Sequence, residues 1–587
     1  MNPEYSSRDT NKLSKLSLKY SPSTFFLLLA IFFLALLFHS DLAPLEETHW
    51  DAPIYVQLSK RAAEANTLAN YHAHARDIRL GAGDDVHWYF TRIGHILLLG
   101  EITKFLGATE TALVAMQWLY RVFMALSVTL CVVLGIRLVK QFRIEQPDPF
   151  WKIGYFIAAV TYVVSDSYRG LQGHLISEPP AFLTLLFFTL VLLSAVERRS
   201  MVLGIFAGCL LFVLFFIRID AVLPGVFFLL LLLIEMARLK RFDAVPSIIS
   251  AGLTASVFYL IYAWWFFPLV NPQSLADFSS SAKEMFPGVP AKGLFAIAIA
   301  GGLLWVGAFM AISMLWRDSV VRFAITWLGL ALLPLIIDSF SGRTVQTRMA
   351  FFIVPPLMIL SAEGWIWMVR NFVEEHKIRT LAITTCFMMI LAFTPYSLVM
   401  QESRNWAINY LPPEIQKYLF PSLAKRGTIG PAMEDQDSRL GILIRPISER
   451  WTLEYLKVRE IADFLNSSGH FAYLLWPKAS FAGQHSLQSY IRLFHYFGKE
   501  YPENIDFVLT KFPGKLDTEA CAARVPTKME RVIYCTALDE RDLVVLQNNN
   551  ISLYILGVDE YPIPPMPELK LTVLLSIPPF TLYGVTE

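Results

Sequence analysis

Residues 21–38 read SPSTFFLLLAIFFLALLF, and soon after comes Glu46-Glu47-Thr48-His49-Trp50-Asp51-Ala52-Pro53-Ile54-Tyr55. The first stretch is apolar over a length that crosses a bilayer. The second sets a Trp-Asp pair and two more carboxylates just beyond it. A carboxylate held at a membrane–water boundary can take a proton from a hydroxyl while a lipid-borne substrate lies in the bilayer. A solvated loop acid is the plain alternative.

The rest of the chain supports a membrane setting. Of 587 residues 55% are hydrophobic and only 17% charged, and the apolar ones come in long blocks. Net charge is +1, so no broad basic surface for nucleic acid is implied. Blocks near 21–39, 117–140, 150–166, 178–196, 201–217, 221–237, 246–268, 293–315, 320–337, 349–369 and 380–399 predict about eleven spanning helices. Basic residues cluster in the 1–20 tail and at Arg137/Lys140/Arg143, Arg198/Arg199, Arg238/Lys240/Arg241, Arg317/Arg322 and Arg370/Lys377/Arg379. The positive-inside rule makes those ends cytoplasmic.

Segment 91–107 is apolar but carries Arg92, His95, Glu101 and Lys104. Counting it as a span would put every later basic loop outside, so it reads as a helix lying at the outer interface. Residues 40–117 then form one long outer loop, and long ordered loops usually carry function. The expected organisation is a 1–20 cytoplasmic tail, a 21–400 transmembrane module and a 401–587 extracytoplasmic domain. In that last part 440–444, 471–476 and 505–509 read as strands, and 452–466 and 487–501 as helices, a βαβαβ pattern. No phosphate-cradling glycine motif supports a nucleotide site there. Of five cysteines, Cys131, Cys209 and Cys386 sit in apolar blocks. Cys521 and Cys535 fall in the exported part, where a disulfide is permitted.

Candidate site residues gather at predicted outer ends. They are Trp50, Asp51, Tyr55, Asp84, Asp85, Arg92 and His95 in or beside the first loop, and His174 and Glu178 at the second. Arg218 and Asp220 stand at a junction of two spans, and Arg343 and Arg348 at a short loop. Charges this near hydrocarbon need partners or water. Arginine grips phosphate oxygens in two-pronged fashion, so arginines on separate segments suit a phosphate-bearing substrate. Ion pairing between loops is the bland reading of the same residues. Trp264-Trp265 reads as an interfacial aromatic belt or as a sugar-stacking face.

These features resemble one family. A basic tail, one span, a long outer loop opening on Trp50-Asp51-Ala52-Pro53-Ile54-Tyr55, an interfacial stretch 89–107, a span near Tyr120-Arg121, Ser177-Glu178-Pro179 opening a span, and the 343–356 Arg- and Pro-containing segment together are similar to the GT-C superfamily of membrane glycosyltransferases. That superfamily includes protein O-mannosyltransferases, lipid A aminoarabinose transferases and GPI mannosyltransferases. The interfacial stretch lacks the Pro-Pro pair of aminoarabinose-type members, and the Trp-Trp-Asp-x-Gly motif of oligosaccharyltransferases is absent from the sequence.

The resemblance implies a GT-C-like helical bundle in a membrane. The sequence carries no ER-retention tail, so a bacterial inner membrane is expected, with the endoplasmic reticulum as the alternative. The resemblance also implies transfer of a sugar from a polyprenyl-phosphate donor to an unnamed glycan, lipid or protein acceptor, with inversion and Asp51 as base. A divalent cation at Asp84 and Asp85 is left open, since hard cations prefer oxygen ligands. A transporter of a lipid-linked substrate and a non-catalytic envelope-assembly protein are the readings from other classes.

Overall fold

In the computed structural model the first apolar block is helix α1, Pro22–Leu37. Helix α2, Asp51–Ala65, and helix α3, Ile93–Leu106, follow. Next come α4 (Glu110–Phe142), α5 (Trp151–Val163), the single turn α6 (Asp166–Arg169) and α7 (Glu178–Arg198). Then come α8 (Met201–Ile217), α9 (Val222–Arg238), α10 (Val245–Phe266), α11 (Pro290–Gly301), α12 (Leu304–Leu315), α13 (Ser319–Phe340) and α14 (Val354–Glu374). The structure describes residues 22–37, 51–65, 67–70, 92–143, 148–169, 171–172, 175–266, 290–340, 347–374, 460–461, 463–464, 467, 472–478, 496–497, 505–511, 532–535, 552–558, 570–578 and 580–586.

Among the described residues six helical segments are long and apolar enough to cross a bilayer: Glu110–Phe142, Glu178–Arg198, Ile219–Arg238, Phe242–Trp265, Ser319–Phe340 and Met349–Asn371. Pro22–Leu37, Met201–Ile217 and Leu304–Leu315 are apolar but shorter. The expected block 380–399 lies outside the described residues. The expected span 293–315 is two helices, α11 and α12, rather than one. Gly302 between them has a positive φ of 48°. A glycine adopts that conformation readily, and it ends the helix.

Local sequence explains the helix ends. Thr109 caps α4, its hydroxyl accepting from the Ala112 amide at 3.3 Å. Pro179 and Pro180 stand in the first turn of α7, where no intrahelical N–H is needed. Arg199 closes α7 in the left-handed region (φ 52°), and Ser200 caps α8 by accepting from Leu203 N at 3.3 Å. Two residues thus turn the chain into an α7–α8 hairpin. α14 is buried along most of its length, its Leu357, Leu360 and Trp365 sealed in the core. α10 instead shows Leu253, Val257, Leu260 and Ile261 outward, a lipid-facing pattern, and ends on exposed Trp264 and Trp265.

Beyond the helices a six-stranded mixed sheet is built from β1 (Ala472–Lys478), β2 (Ile505–Lys511), β3 (Val532–Cys535), β4 (Ser552–Val558), β5 (Lys570–Ile577) and β6 (Phe580–Thr586), in the order β3-β2-β1-β4-β6-β5. β3, β2, β1 and β4 are parallel, with Leu474 opposite Phe507 and Tyr554. β6 runs antiparallel to both β4 and β5. The strands expected at 471–476 and 505–509 are β1 and β2. The four later strands escaped the βαβαβ reading, because short apolar runs such as Lys570–Ile577 have no periodicity that separates strand from helix. The expected strand 440–444 lies outside the described residues, as do most of the expected helices 452–466 and 487–501.

Candidate active site

Helix α3 has 14 residues. At about 1.5 Å per residue it is roughly 21 Å long, too short for a hydrocarbon core of about 30 Å. It packs on α2, and Gly100 makes the approach possible: a Cβ there would meet Ala62 Cβ at 2.8 Å and the Ser59 carbonyl at 3.2 Å. Ser59 and Thr103 link the two helices hydroxyl to hydroxyl at 3.2 Å, and the Tyr496 hydroxyl reaches Thr103 at 3.5 Å. The start of α3 presses on the end of α8. A Cβ at Gly94 would lie 3.0 Å from Phe216 and Ile217 backbone atoms. That contact sets Arg92 and His95 beside Arg218, the residue that ends α8.

Arg218 is the hub. Its guanidinium pairs with Glu178 at 2.8 Å, and donates to Asp220 at 2.8 Å and to the Ser177 hydroxyl at 2.9 Å. Arg218 and Glu178 are sealed, whereas the Asp220 side chain is 48% exposed. Arg92 stands 3.8 Å from the other Asp220 oxygen. Two carboxylates and a hydroxyl compensate the buried charge, and among the described residues the Arg218 Nε is left without a hydrogen bond.

Next to these charges lies an aromatic group. The Tyr120 hydroxyl is 2.7 Å from His95 Nδ1, and the His95 ring meets Tyr55 edge-on, centroids 4.5 Å apart at 90°. All three are buried. Burial pushes the His95 imidazole from its ordinary 6.5 down to about 3, outweighing the Glu178 carboxylate that favours its proton. His95 is therefore neutral at physiological pH. The Tyr168 hydroxyl and the Gln172 amide donate to the Ala35 carbonyl at 2.6 and 2.9 Å, pinning the end of α1 that leads toward Asp51.

The structure thus brings together Tyr55, Arg92, His95, Glu178, Arg218 and Asp220 from four separate segments. Asp51 is the first residue of α2, one helical turn before Tyr55. Arg348 falls in the 3-10 segment Thr347–Ile353 that leads into α14; the side chains of Asp51 and Arg348 lie outside the described set. Trp50, Asp84, Asp85, His174 and Arg343 also lie outside the described residues, as does Cys521. Arg92 and Arg218 pair with protein carboxylates, which is the inter-loop ion pairing weighed above as the bland alternative. Two participants, Tyr120 and Ser177, are absent from the candidate site residues, although both stand in the motifs Tyr120-Arg121 and Ser177-Glu178-Pro179 quoted for the resemblance. A neutral hydroxyl beside an apolar span carries no signal of its own in the sequence. Among the described residues no three His, Cys, Asp or Glu side chains converge as a metal site.

A second charged cluster lies at the other end of α4. Arg143 pairs with Asp318 at 2.9 Å and Glu363 at 2.6 Å. Arg137 donates to Glu197 at 3.2 Å and Ser194 at 2.5 Å. Arg370 pairs with Asp148.

No protein-family model matches the sequence, and no curated protein does. Solved structures do match. ArnT from Cupriavidus metallidurans, crystallised in the apo state, superposes with a TM-score of 0.51 at 13% identity, covering 96% of this chain and 98% of ArnT. Two structures of the Archaeoglobus fulgidus oligosaccharyltransferase give TM-scores of 0.40 at 12% identity. One, AglB with an inhibitory peptide and a dolichol-phosphate, covers 92% of this chain and 70% of its own. The other, with Zn and sulfate, covers 91% and 68%. The match to ArnT runs nearly end to end on both chains, and it shows that this chain shares the fold of that structure.

Proposed function

We propose that this protein is an inverting membrane glycosyltransferase using a polyprenyl-phosphate sugar on the extracytoplasmic face of a bacterial inner membrane. The observation that carries the reading is the seating of α2, which Asp51 opens, on a buried cluster of charged and aromatic side chains at one end of a GT-C bundle. In the proposed step Asp51 takes the proton of an acceptor hydroxyl as that oxygen attacks C1 of the sugar. The bond from C1 to the phosphate oxygen breaks, and the electron pair leaves with the polyprenyl phosphate. General-base help is worth roughly 10²–10⁴ in rate. Negative charge grows on the leaving phosphate, and Arg343 and Arg348 are assigned to it. The Arg218–Glu178–Asp220 group is assigned to holding the floor of the site, with Arg92 and half-exposed Asp220 at its edge facing substrate. Asp84 and Asp85 are the proposed ligands should a divalent cation take part, and no step is routed through one.

The test is direct. Purified protein is incubated with a panel of undecaprenyl-phosphate-linked hexoses and pentoses plus envelope glycolipid, and undecaprenyl phosphate release is measured. Release with sugar moved to a lipid or protein acceptor supports the reading. Movement of intact donor across vesicles with no release would replace it with transport.

A further inference from the structure

We propose that the Tyr120–His95 hydrogen bond is a positioning device, holding the helix that Asp51 opens against the bundle. The proposal rests on the reading of Asp51 as base. Its physical basis is a chain of three contacts. Tyr120 stands on α4, the longest helix described, where backbone hydrogen bonds and packing on α1 and α7 give a stiff platform. Its hydroxyl meets His95 Nδ1 on α3 at 2.7 Å. The His95 ring meets Tyr55 on α2 edge-on at 4.5 Å. Tyr55 and Asp51 are four positions apart on α2, so they lie on the same side one turn from each other. Fixing Tyr55 therefore fixes the backbone that carries Asp51.

Direct substrate contact is a poor role for these side chains. Tyr120 and His95 are 0% exposed and Tyr55 is 1% exposed. Simple packing also explains them badly. Phe and Leu would fill the same space without desolvating a phenol and an imidazole, and buried polar groups are tolerated when they are bonded and give orientation in return. Nδ1 is the ring nitrogen that meets Tyr120, and among the described residues Nε2 has no hydrogen-bond partner. In the tautomer with its proton on Nε2, neutral His95 offers Nδ1 as acceptor and the Tyr120 hydroxyl donates. The pair is thus directional: one donor, one acceptor, and one ring orientation presented to Tyr55.

Tyr120→Phe removes the hydrogen bond and keeps the ring. Full-length protein in detergent is compared with wild type by hydrogen–deuterium exchange and by turnover of the undecaprenyl-phosphate sugar donor. Amides of 51–65 should exchange roughly three- to ten-fold faster, while those of α7 and α14 keep wild-type rates. kcat should fall roughly ten-fold with the donor KM within two-fold, as misplacement of a reacting group lowers rate rather than binding. His95→Asn, which keeps an acceptor near Nδ1, should exchange more slowly over 51–65 than His95→Leu. Unchanged exchange over 51–65 in Tyr120→Phe overturns the proposal without any activity being needed. Wild-type kcat in Tyr120→Phe, with Asp51→Asn inactive in the same assay, also overturns it and leaves the base reading standing. An active Asp51→Asn instead removes the base reading, and the catalytic meaning of the pair goes with it.

Discussion

The two ends of α4 are built from similar residues and do different things with them. From Tyr120 to Arg137 the helix rises about 26 Å, close to the thickness of a hydrocarbon core. At the Arg137 end the charges close on one another: Arg143 with Asp318 and Glu363, Arg137 with Glu197, Arg370 with Asp148. These pairs join α4 to α7, α13 and α14 and work as rivets. At the Tyr120 end a comparable set, Arg218 with Glu178 and Asp220, is flanked by a neutral imidazole, two phenols and a carboxylate that stays half in the open. The difference teaches where to look for chemistry. Each cluster leaves one charge half open, Asp220 at one end and Arg370 at the other, so what marks the Tyr120 end is the neutral imidazole and the two phenols packed between its charges and α2.

The strongest way to break this contrast is Asp51→Asn. Transfer should fall by roughly 10²–10⁴ while the melting temperature holds, because an amide keeps the size and loses the base. Donor turnover beside a melting curve reads both, and near-normal turnover would move the chemistry elsewhere. Next is Glu363→Ala at the other end, which removes the buried one of the two carboxylates on Arg143 and leaves Asp318. Removing one partner of a buried pair costs up to about 3–5 kcal/mol. The melting temperature should drop sharply while kcat per folded molecule stays within two-fold; a selective loss of kcat would mean the two ends are coupled.

Arg343→Ala and Arg348→Ala should each weaken donor use roughly ten- to hundred-fold, for the loss of about 1.5–3 kcal/mol in a charge-assisted contact. Lys at either position should rescue in part, since it keeps the charge without the fork. A lowered melting point with unchanged donor dependence would class both arginines with the rivets. The smallest effect concerns pH. His95 has a folded-state pKa of about 3 against an ordinary 6.5. Below 6.5 the unfolded chain binds a proton that the fold refuses, so stability falls as pH drops from 6.5 toward 3. His95→Asn should flatten that part of the stability–pH curve, and an unaltered slope would mean that His95 is not held neutral.

The sequence by itself determined the class of molecule and most of the helices. Long apolar runs have few alternatives in water or lipid, so 201–217 and 178–196 translate almost residue for residue into α8 and α7. It also predicts that 91–107 does not span, because counting it as a span would put every later basic loop outside, and the 14-residue α3 is short for a bilayer. What it left undecided are facts about neighbours. The break at Gly302, the strands after β2, and the Tyr120–His95–Tyr55 contacts depend on residues far apart in the chain, and no local pattern encodes them. The arginines make the point most directly. In the sequence Arg92 and Arg218 are free cations near a membrane. Only the tertiary structure, by bringing Glu178 and Asp220 within hydrogen-bonding or ion-pair distance, decided that Arg218 is neutralised from within and that Asp220 keeps a face to solvent. The reason is physical: partners for a buried charge are chosen by packing, and packing brings 92 and 218 together through the close approach at Gly94.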